Sequence, residues 1–128
     1  MSGITPQIKG ESIQSLYRLY STEKLLANRR YQRKLVWTIE EKQSFIDSII
    51  KGFPIPIILL AEVGESGNIK YEIIDGMQRL NAIMAFIEQE YSSSQQFFDL
   101  ETIAETKTKL DSGSLAQSQS VMSRDICV

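Results

Sequence analysis

Residues 73–80 run Ile73-Ile74-Asp75-Gly76-Met77-Gln78-Arg79-Leu80. Two β-branched apolar residues lead into an acid and a glycine. A helix-compatible run with a glutamine and an arginine in its first turn follows at once. This is the layout of a strand, a tight turn and a helix N-terminus. Such a junction gathers backbone N–H groups, a partial positive charge and a flexible glycine at one point. It suits an anion, and phosphate is the commonest biological one. Arg79 sharpens the reading. The helix dipole favours acids in the first turn, not bases. An anionic ligand, or a carboxylate such as Asp75, would account for an arginine there. On its own, strand-Asp-Gly-helix is frequent in α/β proteins, so the surrounding chain has to supply the context.

Working upstream, residues 69–74 fit a strand and residues 68 and 64–67 form a turn cluster. Residues 57–63, apolar and β-branched, fit a buried partner strand, so the two make a hairpin. Phe53-Pro54-Ile55-Pro56 is a stiff turn ahead of it. Thr38-Ile39-Glu40-Glu41 has the capping-box pattern and predicts a helix over residues 39–51. Phe45, Ile46, Ile49 and Ile50 make its apolar face, Gly52 ends it, and Asp47 is a surface carboxylate. Before it, Arg29, Arg30, Arg33 and Lys34 fall in a window of six, with Tyr31 and Trp37 beside them. Positive charge with aromatic neighbours can grip phosphates and stack on bases, although most charge runs are solvated surface. Residues 24–27 suit a short strand. Residues 11–20 carry Ile13, Leu16, Leu19 and Tyr20 at helical spacing, with Ser12 or Glu11 at the start.

Downstream, residues 77–91 fit a helix with Leu80, Ile83, Met84 and Ile87 on one face and Gln78, Asn81 and Ala82 on another. Residues 92–96 are a polar loop and residues 97–103 a short strand. Residues 112–123 are rich in Ser and Gln without periodicity. Residues 124–128 look like the start of a further strand, so a domain continuing past Val128 is expected. One domain is predicted over residues 1–128. Its core spans about residues 11–91, and residues 92–128 are a polar segment leading into that continuation.

Composition removes several chemistries. The chain has no histidine. That excludes Ser-His-Asp and Cys-His nucleophiles, His-based zinc and His-metal nuclease sites within these 128 residues. Carboxylates, arginine, lysine, backbone dipoles and a carboxylate-held magnesium ion remain. A net charge of −2 means that any nucleic-acid contact comes from a local patch. No apolar run approaches a membrane span, and the N-terminus does not resemble a signal peptide. One cysteine, Cys127, allows no internal disulfide and points to a reducing, cytoplasmic setting. No Walker lysine loop is present.

Five separated motifs then occur in order: Tyr31-Gln32-Arg33, Val36-Trp37, Ile46-Asp47-Ser48-Ile49, Phe53-Pro54-Ile55-Pro56 and Ile74-Asp75-Gly76-Met77-Gln78-Arg79-Leu80. The series resembles the N-terminal domain of GmrSD-type restriction endonucleases, in the ParB/sulfiredoxin-like superfamily. The resemblance covers roughly residues 11–90 and departs from the usual Asp-Gly-Gln-Gln-Arg at Met77. It implies an α+β fold, a small mixed sheet with packed helices. It also implies a domain that binds and hydrolyses a nucleoside triphosphate (NTP) with Mg2+, coupled to recognition and cleavage of modified or foreign DNA.

The resemblance assigns residues as follows. Gln32, Arg33, Asp75, Gly76 and Arg79 would bind the nucleotide, and Asp75, Gln78 and Arg79 would act in hydrolysis. Asp75 would also hold the metal. The basic residues Arg29, Arg30 and Lys34 are the expected DNA contacts. Relatives carry a separate His-Asn-His nuclease module, so the nuclease is expected elsewhere, on the same or a partner chain. Two other readings stay open. One is a ParB-like, nucleotide-gated DNA-binding module without turnover. The other is a structural unit in which Asp75 and Arg79 merely tie strand to helix.

Overall fold

The structure is a computed structural model describing residues 10, 12–27, 37–65, 67–93, 95–117 and 121–122. Its architecture is mixed α+β, as expected. Helix α1, Ile13–Ser21, is followed by strand β1, Leu25–Ala27, and helix α2, Ile39–Ile50. Strands β2, Leu59–Glu65, and β3, Asn68–Asp75, form the hairpin, and helix α3, Met77–Ile87, leaves the end of β3. Strand β4, Phe97–Phe98, helix α4, Ala104–Asp111, and strand β5, Val121–Met122, complete the described elements.

The main sheet has the order β1-β3-β2. β3 lies in the middle, parallel to β1 and antiparallel to β2. Near the end of β3 the register slips. Leu59 faces Asp75 while Leu60 faces Ile73, so Ile74 is passed over in a bulge. Bulges bend a strand and re-aim the side chains beside them, and this one immediately precedes the β3–α3 turn. β4 and β5 pair in parallel as a second, two-stranded sheet.

α3 is the axis of the core. Leu80, Ala82, Ile83, Met84, Ala85, Phe86 and Ile87 are all buried, so the helix is covered on every side and not along one stripe. Ala82, on the side of the helix shared with Gln78 and Asn81, is thus buried as well. Tyr17 of α1, Ile46 of α2, Ile73 of β3, and Phe98, Leu100 and Ile103 pack around it. In α1 the core residue is Tyr17, fully buried, whereas Tyr20 is 41% exposed. Tyr91 was expected to extend α3, but the helix ends at Ile87 and Gln89 takes a positive φ of 62°. The Tyr91 ring then turns back, and its hydroxyl donates to the Ala82 carbonyl.

Local chemistry sets the helix starts. Ser12 Oγ accepts the Ser15 N–H at 3.0 Å and caps α1. Thr38 and Glu41 form the expected capping box, each side chain accepting the other's backbone N–H at 3.1 Å. Asp47 pairs with Lys51 at 2.9 Å on the surface. β2 departs from expectation, because it begins at Leu59 and is not buried: Ile57 is 64% and Leu59 47% exposed. Among the described residues it pairs only with β3 and so lies at an edge of the sheet.

Residues 97–103 do not make one strand. Two residues join β5, and the chain then turns into α4, which the sequence pattern did not predict. Polar contacts hold α4 to α1. Arg18 Nε donates to Glu105 at 2.8 Å and Gln14 reaches the same carboxylate. Lys109 Nζ donates to both Glu88 and the Tyr17 hydroxyl at 2.8 Å, and that hydroxyl donates to Glu88 at 2.7 Å. Burial pushes the Tyr17 phenol pKa up, reinforced by Glu88 and partly offset by Lys109. Burial works against the Lys109 charge, but the bonds to Glu88 and Tyr17 outweigh it and raise its pKa. The expected strand over residues 124–128 lies outside the described residues.

Candidate functional site: the β3–α3 turn

β3 delivers Asp75 to the surface, with its side chain 74% exposed. Gly76 follows as the N-cap of α3 with φ 96° and ψ 20°, a conformation that favours glycine. A second constraint acts at the same residue. A Cβ on Gly76 would lie 3.1 Å from Ile58 Cγ1 and 3.2 Å from Ile58 Cα. The backbone before β2 therefore passes directly against the turn, and a side chain there would displace it.

α3 has no side-chain cap and no acid in its first turn. Asp75 Oδ1 instead accepts the Gly76 N–H at 2.9 Å. Leu80 N–H opens the helical ladder by donating to the Gly76 carbonyl at 2.9 Å. The amides of Met77, Gln78 and Arg79 precede the first intrahelical bond, the usual source of positive potential at a helix start.

Arg79 turns back over this end, and its side chain is only 20% exposed. Nη2 donates to the Ile57 carbonyl at 3.0 Å. The nearest Asp75 oxygen, Oδ2, is 3.9 Å from the same nitrogen, beyond hydrogen-bond reach. Arg79 Nε is buried without an acceptor among the described residues. Gln78 meets the start of α2, where its Oε1 accepts the Trp37 N–H at 3.4 Å. The Trp37 ring packs edge-on against Phe45, with centroids 5.5 Å apart. The turn thus has neighbours from two directions, the chain before β2 and the chain before α2.

Of the site residues expected from the sequence, Asp75, Gly76, Gln78 and Arg79 come together at one turn. Gln32, Arg33, Arg29, Arg30 and Lys34 lie outside the described residues. Sequence reasoning missed the two backbone partners, the Ile57 carbonyl and the Trp37 amide. The Pro-Ile-Pro run was the one signal for the first, since it stiffens the chain that carries this carbonyl. Among the described residues no group of three or more His, Cys, Asp or Glu converges on a point.

The chain is thus a small α+β domain with an arginine and a helix start at an Asp-Gly turn. The chain belongs to the family described as GmrSD restriction endonuclease, N-terminal domain, which it matches over residues 13–125. That membership places it in DNA restriction, a defence function against phage. Neither the curated proteins nor the solved structures contain a match to it. Among the described residues no helix is long and apolar enough to cross a membrane.

Proposed function

We propose that this domain binds a nucleoside triphosphate at the β3–α3 turn and hydrolyses it, and that the nucleotide couples to recognition and cleavage of foreign or modified DNA. The observation that carries the reading is the pose of Arg79. It lies folded over the start of α3 and, among the described residues, has no hydrogen-bonded carboxylate to consume its charge. A guanidinium can clamp phosphate oxygens through paired N–H groups, and the amides of a helix start add to the same field. Gly76 is assigned to nucleotide binding through its backbone, on the side that Ile58 does not fill. Asp75 would hold magnesium brought in on the triphosphate, and that ion would neutralise charge building on the phosphates.

Gln78 is assigned to orient the attacking water, a role amides serve in other nucleotide hydrolases. Its contact to the Trp37 amide would connect that role to the entry of α2. Gln32 and Arg33 are assigned to the same nucleotide pocket. Arg29, Arg30 and Lys34 are assigned to DNA phosphates. The nuclease that cuts is assigned to another module, on the same or a partner chain.

Calorimetry with ATP, GTP, CTP and UTP plus Mg2+, alongside phosphate release, tests this. Wild type should bind at least one nucleotide, and Arg79→Ala and Asp75→Asn should lose both binding and release. Binding without phosphate release would replace hydrolysis by a nucleotide-gated DNA-binding role. An absence of heat with all four would remove nucleotide from the function altogether.

A further inference from the structure

We propose that segment 54–58 is a positioning strap for Arg79, in which Pro54 and Pro56 hold the Ile57 carbonyl where it orients the guanidinium. The segment has no regular secondary structure and leads from Gly52, at the end of α2, into β2. Its two prolines fix φ near −65° and offer no N–H to a ladder, so this stretch is stiff yet unpaired. Most of it is exposed, with Ile55 at 37% and Ile57 at 64%. Burial acts on it at Ile58, which packs against the core. Two contacts tie the segment to the turn. The Ile57 carbonyl accepts from Arg79 Nη2 at 3.0 Å, and Ile58 passes so near Gly76 that only glycine fits without a shift.

The acceptor's chemistry decides what the strap achieves. A carboxylate within hydrogen-bond distance would orient Arg79 and also cancel most of its attraction for an anion. The Asp75 carboxylate stands at 3.9 Å, at the limit of an ion pair and beyond hydrogen-bond reach, and is largely in solvent, where the high dielectric weakens the attraction. The Ile57 carbonyl is neutral. It fixes the direction of the side chain and leaves the positive charge intact. A long flexible side chain held in its working pose loses less entropy when a ligand arrives. Residues 54–58 would therefore set the affinity of the site without themselves touching the ligand. The role of the strap in affinity rests on the nucleotide-binding reading; the restraint on Arg79 does not.

The test uses the full 128-residue chain and the variant Pro56→Gly, with thermal melting as the check of folding. NMR relaxation of the Arg79 side-chain Nε–H is the direct readout. Wild type should give an order parameter near that of rigid backbone, about 0.85, and Pro56→Gly should fall below about 0.6. Calorimetry with the tightest nucleotide should show Pro56→Gly binding roughly three- to tenfold more weakly, the scale of immobilising one long side chain. Pro54→Gly, one step more remote, carries the same measurements if Pro56→Gly fails to fold. A guanidinium that stays rigid in the folded variant overturns the proposal, as does nucleotide binding by folded Pro56→Gly as tight as that of wild type. If wild type binds no nucleotide, the functional reading fails, and the order parameter still decides the strap.

Discussion

Gly76→Ala isolates the contact on which the turn depends. Two separate costs meet there. The first is conformational: a methyl at φ 96° is strained, and left-handed backbone costs a non-glycine residue roughly 1–2 kcal/mol. The second is steric. The new Cβ would sit 3.2 Å from Ile58 Cα, a backbone atom that cannot rotate away, so the segment before β2 must move by a few tenths of an ångström. Forcing a methyl into a filled space costs about 1–3 kcal/mol. A small gain opposes both, since alanine restricts the unfolded chain by about 0.4–1 kcal/mol more than glycine does. The net loss should be roughly 2–4 kcal/mol.

Gly52→Ala supplies the control. It has φ 79° and nothing within 4 Å of where a Cβ would lie, so only the conformational cost applies, about 1 kcal/mol net. At about 2.1 cal/mol/K per residue the chain should lose roughly 4 °C of Tm for each kcal/mol. Differential scanning calorimetry should then show a drop near 4 °C for Gly52→Ala and roughly 8–15 °C for Gly76→Ala. Equal drops would refute the reasoning, because they would mean that Ile58 exerts no pressure on the turn. Moving Ile58 also moves the Ile57 carbonyl, so Gly76→Ala should release Arg79 as Pro56→Gly does.

Two further predictions concern the rest of the fold. Burial alone would raise the Glu105 carboxyl, but hydrogen bonds from Arg18, its own backbone amide and Gln14 outweigh it and hold the pKa below its ordinary 4.5. A depressed carboxyl stabilises the fold above its unfolded pKa, and that contribution is lost as pH falls through the folded value. Glu105→Gln should therefore be less stable than wild type in urea at neutral pH, with the gap closing in acid below 4.5; an unchanged gap would discount the Arg18–Glu105 pair. Thr38→Ala should cost about 0.5–2 kcal/mol by removing half of the capping box, and Thr38→Ser should restore most of it. Equal urea midpoints for wild type and Thr38→Ala would rule out the cap as a determinant of α2.

The parts of this fold that were legible in the sequence are those whose cause is local. Ser12, Thr38 with Glu41, and Gly52 mark helix ends through contacts only a few residues long. The β2–β3 hairpin and the start of α3 follow from the turn residues between them. The illegible parts have distant partners. α4 presents no apolar stripe, and its anchors are Lys109 on Tyr17, 92 residues apart, and Arg18 on Glu105, 87 apart. Periodicity carries no trace of such pairs. Likewise β2 looks apolar enough to be buried, and only the sheet order shows that one of its edges has no neighbouring strand among the described residues. The same limit applies at the candidate site. An arginine in a helix's first turn signals that something must receive its N–H groups, and the search for that partner naturally turns to acids such as Asp75. The partner found is a backbone carbonyl 22 residues earlier. Every residue type carries that acceptor, so no side chain could announce it. Because the acceptor is neutral, the charge that made Arg79 conspicuous in the sequence is still available to a ligand in the folded domain.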